Sequence, residues 1–172
     1  MEPEEQALIH VAELMALSAR TAPKARGEDF LDIMVLTGPE LQKLGKAMLK
    51  FGERVNDMDY ERDGMCVCNS TACLLVSVRD PIKKKGTPKG KEGRKGSSKG
   101  DFYDESERVK RYLDLGIALG SAAKTASIHN ADCRIMWHAG EVAGALGMMD
   151  GMVIIGIPIA AHGKNIFFDR DS

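Results

Sequence analysis

The strongest constraint in this sequence is the run Ala72–Val78, in which Ser77 is the one polar residue. A strand that is apolar on both faces has to be covered on both faces, because exposed apolar surface is unfavourable in water. Two further strand-like runs lie at Leu31–Thr37 and at residues 152–159, and longer segments separate the three. This order predicts a central sheet flanked by helices, an α/β (α+β) fold in two or three layers.

The segments between these strands have the apolar spacing or the boundaries of helices. The predicted helices are residues 4–19, 39–51, 105–128 and 134–146. Thr37 is a candidate cap for the second helix, and Asp132 is one for the last. Residues 54–65 are polar and irregular, which predicts a loop. The expected order is therefore helix, strand, helix, strand, two helices, strand.

A chain of 172 residues suits a single domain, here residues 1–172. The formal net charge is −1, yet residues 81–100 carry seven lysines and Arg94 against Glu92. This composition predicts a flexible basic loop over residues 81–103, because it offers little apolar surface to bury. Residues 81–100 contain no aromatic residue on which bases could stack, so nucleic-acid binding is not favoured.

Several features of the sequence predict a cytoplasmic protein. Residues 1–6 are acidic where a secretory signal would be basic, and no apolar run reaches the roughly 20 residues of a membrane span. The four cysteines are unevenly spaced, which favours reduced thiols. The four histidines are scattered, and no Walker loop or G-x-S-x-G motif is present. We therefore expect no zinc site and no serine hydrolase.

Residues 18–27 form the first candidate binding segment. Arg20, Lys24 and Arg26 lie within a turn that also contains Pro23 and Gly27. Cations and backbone amides together suit a phosphate or another anion. The alternative is a solvated turn whose basic residues cap helix ends.

The second candidate segment is the small-residue stretch of the helix at residues 105–128. Gly116 and Gly120 lie one helical turn apart and precede Ser121. Glycine costs a helix up to about 1 kcal/mol relative to alanine, so its repeated use indicates close approach by another helix, a second copy of the chain or a flat ring. The alternative is tight packing inside the core or at a dimer interface. Two further candidate binding segments follow. Residues 130–136 contain Arg134, and residues 156–170 contain Lys164 and Arg170.

Four motifs resemble a family of uncharacterised prokaryotic proteins that contain a ferredoxin domain. They are SARTAPKARGED, DLGIALGSA, the DCRIM segment and GIPIAAHGKNIFFDR. More distantly, the first of them resembles the turn that lines the flavin site of nitroreductases, and DLGIALGSAAKTAS followed by VIIGIPI resembles the central helix and a later strand of that superfamily. The resemblance implies a nitroreductase-like sheet, a homodimer and FMN between the subunits.

This resemblance implies an FMN-dependent oxidoreductase whose catalytic residues are unknown. The residues that it nominates for cofactor binding are Arg20, Thr21, Lys24, Arg26, Gly116, Gly120, Ser121, Arg134, Lys164 and Arg170. Residues 1–19 contain no arginine, whereas nitroreductases usually begin with an arginine-rich phosphate-binding run. The alternative is therefore a non-enzymatic scaffold or binding protein of the same fold without its cofactor.

An iron–sulfur cluster is not expected. Relatives carry a cluster motif after the second strand, but this chain has no cysteine between Val78 and Asp114. Cys66, Cys68 and Cys73 precede or lie within that strand, where Cys73 is interpreted as a core residue, and Cys133 belongs to a different motif. Four suitably placed thiolates are what such a cluster requires.

Overall fold

The computed structural model describes residues 2–82 and 98–168, with side chains of the second range from Asp104 onward. This part of the chain forms a four-stranded sheet with helices on both faces. The helices are α1 (Pro3–Thr21), α2 (Gly38–Val55), α3 (Met58–Cys68), α4 (Ser98–Ile128) and α5 (Trp137–Ala145). The strands are β1 (Leu31–Thr37), β2 (Ala72–Val78), β3 (Asp132–Cys133) and β4 (Val153–Ala160), and a 3₁₀ turn, Ala25–Gly27, precedes β1.

The sheet has the order β1-β2-β4-β3, and every neighbouring pair is antiparallel. At one end, Val78 of β2 lies opposite Leu31 of β1 and Val153 of β4. At the other end, Ala72 lies opposite Thr37 and Ile159. All seven residues of β2 are buried, which confirms that this strand is central. The bounds predicted for β1 and β2 are also confirmed.

Alternate residues of β2 pack into two separate cores, one on each face of the sheet. Leu74 and Val76 face the layer of α1 and α4, where they belong to the same cluster as Met15. Cys73 and Leu75 face the layer of α2, α3 and α5. The architecture is therefore three-layered, and the two layers of helices are separated by the sheet.

The prediction of a loop over residues 54–65 was wrong. Helix α2 continues to Val55, and after a short turn α3 begins at Met58. The Asp57 side chain caps α3 by accepting a hydrogen bond from the Asp59 amide (2.9 Å). Tyr60, Asp63 and Val67 recur at helical spacing and are buried, but two of these three are polar, so the pattern was missed.

The helix predicted over residues 134–146 is shorter than expected. Asp132 is not its cap, since Asp132–Cys133 pairs with β4 as an edge strand and α5 begins only at Trp137. Met136 makes an isolated bridge with Gly156, which keeps the chain extended up to the helix. The last strand likewise spans Val153–Ala160, one residue later than predicted at each end.

Helix α4 begins at Ser98, so residues 98–103 are helical rather than part of the predicted loop. Residues 83–97 of the predicted loop lie outside the described residues, as does Arg170. Within the described ranges, no helix has both the length and the apolarity to cross a bilayer.

Candidate functional site

The basic turn between α1 and β1 is held by contacts within the chain. Arg20 forms an ion pair with Asp29 (2.6 Å) and donates to the Leu31 carbonyl (2.8 Å). The Lys24 Nζ donates to the carbonyls of Arg20 (2.6 Å) and Ala22 (2.9 Å), at the end of α1. These contacts correspond to the alternative in which the cations cap a helix end. The Arg20 side chain nevertheless remains 45% exposed, and that of Arg26 remains 53% exposed.

A fully buried arginine of α4 holds the same turn in place. Arg111 forms ion pairs with Asp114 (2.9 Å) and Glu28 (2.7 Å) and donates to the Ala25 carbonyl (3.3 Å). Asp114 accepts a hydrogen bond from the Ala25 amide (2.7 Å), so both backbone groups of Ala25 are bound to α4. This arrangement explains how the turn tolerates two consecutive left-handed residues, Arg26 (φ 58°) and Gly27 (φ 68°).

Arg26, also on the turn, reaches an acidic side chain of the same helix. Its guanidinium pairs with Glu107 (3.1 Å), which also pairs with Lys110 (2.6 Å). The hydrogen bond from Lys110 and the charges of Arg26 and Arg111 hold the pKa of Glu107 below its usual value. Two cations of the turn, Arg20 and Arg26, are thus already paired with carboxylates, and Lys24 is bound to carbonyls of α1.

A cavity of about 260 Å³ opens where this turn meets α4. Its walls are almost entirely apolar and include Pro23, Leu113 and Ile117, and the side chains of Lys24, Lys110 and Asp114 border it. A cavity with apolar walls is suited to the apolar part of a ligand. Among five cavities of the described residues, this one has a nominated cation, Lys24, in its lining.

The glycines of α4 lie on an exposed apolar face and not in the core. A Cβ added to Gly116 or Gly120 would meet nothing within 4 Å. Leu113 (63% exposed) and Ile117 (48%) lie on the same face, which leaves an apolar stripe without a covering element among the described residues. Ser121 instead points towards α1 and donates to the Ser18 carbonyl (3.2 Å). Tight packing among the described residues therefore does not account for the two glycines.

Among the described residues, the other nominated cations are Lys164 and Arg134, which lie towards the opposite end of the sheet. Lys164 follows β4 beyond Ala160, whereas the basic turn precedes Leu31, and the strands between these ends are about 20 Å long. Arg134 lies on the extended segment next to β4, and it pairs with Asp63 of α3 (3.3 Å). A single copy of the chain therefore does not bring Lys164 to the basic turn.

Sequence reasoning missed a buried polar network between α3 and α5. Asp63 is 3% exposed, and its carboxylate binds Arg134 and His138 Nδ1 (2.9 Å). The ring of His138 lies 4.0 Å from that of Tyr60, whose hydroxyl donates to Glu141. This hydrogen bond, together with burial, raises the pKa of Tyr60 to about 12. The spacing of Tyr60, Asp63 and Val67 was the available signal.

The cysteine thiols are divided between the two faces of the sheet. Cys66 and Cys73 belong to the core beneath α2, α3 and α5, and Cys133 packs against the opposite core. Burial raises the pKa of each of these thiols, to about 12 for Cys73. In the described residues, no group of three or more His, Cys, Asp or Glu side chains could hold a metal ion. The thiols of a single chain, divided between the two faces, do not fit an iron–sulfur cluster.

Comparison with solved structures defines the class of the fold. The nitroreductase-like family protein from Bacillus cereus is similar over 91% of this chain and 75% of its own, with a TM-score of 0.61 and 13% identity. The nitroreductase CinD from Lactococcus lactis, in complex with 4-nitrophenol, is similar over 98% of this chain and 86% of its own, with a TM-score of 0.61 and 15% identity. A nitroreductase with bound FMN from Desulfitobacterium hafniense is similar over 95% of this chain and 92% of its own, with a TM-score of 0.56 and 14% identity. The fold is nitroreductase-like.

Sequence comparison identifies the family within that class. An uncharacterized protein of Archaeoglobus fulgidus is 38% identical over 163 residues, which are 91% of this chain and 88% of that protein. Residues 107–170 match the family described as "Uncharacterized protein containing a ferredoxin domain (DUF2148)". The chain belongs to this family of uncharacterised proteins, as its motifs predicted.

Proposed function

We propose that this protein is an FMN-binding redox protein of the cytoplasm whose flavin site is built by two copies of the chain. The observation that carries the proposal is the exposed stripe of α4, which lies directly beside the cavity at the basic turn. A second copy packed on this stripe would cover Leu113 and Ile117, and these two residues also line the cavity. Such a contact would close the cavity and make a shared site.

The nominated residues have different tasks in this proposal. Arg20 and Arg26 are exposed enough to bind the FMN phosphate, and Lys24 supplies a further charge at the cavity. Gly116 and Gly120 leave backbone uncovered where a ring or a second helix can approach. Thr21 and Ser121 donate to carbonyls of α1, at Leu17 (3.0 Å) and Ser18, and hold the surroundings of the turn.

The cations at the far end of the sheet enter through the second copy. Lys164 and Arg134 would reach the flavin of the neighbouring protomer. Arg170, which the sequence nominates with them, lies outside the described residues. Bound FMN would supply hydride transfer, and the chain would orient it and exclude water. Support for FMN comes from the fold shared with an FMN-bound nitroreductase and from the open space beside the two glycines.

A specific observation favours the alternative, a scaffold without cofactor. The cations of the turn are already engaged, since Arg20 pairs with Asp29, Arg26 with Glu107, and Lys24 with the end of α1. FMN would have to compete with these partners. The two possibilities differ in one measurable property, the uptake of FMN by the purified protein.

The test combines FMN titration with a measurement of mass in solution. Visible absorption of oxidised flavin and sedimentation as an FMN-loaded dimer would support the proposal. Gly120→Leu should yield a folded monomer with weakened FMN binding, because the new side chain meets nothing within the chain but projects from the apolar stripe. Lys50→Leu, at an exposed position of α2, is the matched control and should remain a dimer.

Two results would contradict the proposal. A wild-type protein that remains colourless with excess FMN would favour the scaffold. A Gly120→Leu variant that dimerises and binds FMN like Lys50→Leu would show that the stripe of α4 is not the interface.

A further inference from the structure

A second cavity, separate from the basic turn, lies between α5 and the start of β4. It has a volume of about 160 Å³ and is lined by one face of α5 and by the chain entering β4. Trp137 and Glu141 are four residues apart, so their side chains lie on the same face of the helix. This face belongs to the α2, α3 and α5 layer, across the sheet from the cavity at the basic turn.

Trp137 presents an aromatic surface at this cavity. Its side chain is 56% exposed, although Trp is usually a largely buried residue. The backbone beneath it is held firmly, since Met136 exchanges two hydrogen bonds with Gly156 (2.8 and 3.1 Å). One turn further along, Gly140 lies against the Ile154 carbonyl so closely that a Cβ would not fit. The exposed ring is therefore attached to a rigid part of the fold.

Glu141 brings a negative charge to the same cavity. Its Oε2 accepts the hydroxyl of Tyr60, and because the pKa of Tyr60 is raised to about 12 this phenol remains a neutral donor over the physiological range. Within the described residues Oε1 makes no hydrogen bond, and no cationic side chain lines the cavity. The carboxylate is thus oriented by one hydrogen bond and retains free acceptor capacity.

The geometry points to a binding site for a small organic cation, an alkylated ammonium group, between the Trp137 ring and the Glu141 carboxylate. An aromatic face attracts such a cation, and its alkyl groups find an apolar wall instead of water. A nearby carboxylate adds attraction that a neutral ligand of the same shape lacks. The site is separate from the proposed flavin site, because its lining shares no residue with the cavity at the basic turn.

The neighbouring cavity gives such a ligand room for a longer chain. Its volume is about 590 Å³, and it shares Gly151 and Met152 with the smaller one. Asp150 lines it together with two paired aspartates, Asp32 with Arg79 and Asp80 with Arg108. A substituent on the ammonium nitrogen would extend into this space.

The experiment uses choline as the probe and the neutral 3,3-dimethylbutan-1-ol as the control of equal shape. Trp137 is the only tryptophan of the chain, so its fluorescence reports directly on the site. We expect choline to change the fluorescence saturably. The neutral alcohol should bind at least about fivefold more weakly than choline. Equal binding of the two, or no saturable change with choline, would overturn the inference.

Substitution of Glu141 separates charge from shape. Glu141→Gln keeps an acceptor for Tyr60 but removes the negative charge, and we expect choline to bind about fivefold more weakly. Glu53→Gln, at an exposed position of α2, should bind choline like the wild type. Circular dichroism of both variants checks that the fold is intact. A folded Glu141→Gln variant with unchanged affinity for choline would refute the role of the carboxylate.

Discussion

Replacement of Arg111 by methionine tests whether the buried ion pairs hold the basic turn. The side chain is fully buried, and its loss leaves Glu28 without this partner and Asp114, which is 6% exposed, with the Ala25 amide alone. Removing one member of a buried ion pair costs about 3–5 kcal/mol, because the partner charge remains buried. With a urea slope of roughly 2 kcal/mol per molar, the unfolding midpoint should fall by about 2 M.

The same helix offers a matched control. Arg108 pairs with Asp80 (3.3 Å), but its side chain is 36% exposed and the pair is screened by water. Arg108→Met should therefore leave the urea midpoint nearly unchanged. Arg111→Lys should lie between the two, since it keeps a charge but loses the planar fork that binds several acceptors. If Arg111→Met unfolds at the same urea concentration as Arg108→Met, the buried pairs do not stabilise the fold and the reasoning fails.

Three further predictions follow from individual contacts. Gly140→Ala should lower the free energy of unfolding by about 1–3 kcal/mol or more, because the methyl group would overlap a β4 carbonyl. Gly163→Ala, where an added Cβ meets nothing within 4 Å, should be nearly neutral; thermal denaturation compares the two, and equal melting temperatures would contradict the packing argument. Stability should fall in acid as Asp29 and Glu107 take up protons, since their pKa values in the folded state lie below the ordinary 3.8 and 4.5; urea midpoints that stay constant from pH 6 down to about pH 3 would disprove this. In alkali, the raised pKa of Tyr60 means that stability is lost as pH rises from 10.0 through about 12, and Tyr60→Phe should remove this part of the loss in a pH series of unfolding curves.

The central sheet could be predicted because apolar periodicity is a local property. Ala72–Val78 is apolar at every position except Ser77, so both faces of the strand are apolar and both have to be covered. Helix α3 could not be predicted in the same way. Its inward face includes Tyr60 and Asp63, whose burial depends on Glu141, Arg134 and other partners distant in sequence.

The candidate site was predicted only in its residue types. Arg20, Lys24 and Arg26 do gather at one turn, but the sequence contains no indication that Arg111 would be buried under it. An arginine in a helix between Lys110 and Tyr112 resembles a solvated residue, because charged side chains are rarely buried without partners. Its partner Glu28 lies more than 80 residues away, and pairing of that kind is visible only in the folded chain.

The position of the cations on the sheet decides which assemblies can form one flavin site. Strands of seven or eight residues separate the basic turn from Lys164, so both groups can bind one ligand only if they come from different protomers. The stripe of α4 is the surface that such a pairing would use, since it carries two exposed glycines beside Leu113 and Ile117. Dimerisation and flavin binding are therefore expected to fail together when this stripe is changed. In a scaffold without a cofactor, a change in the stripe would affect dimerisation alone, because there would be no flavin binding to lose.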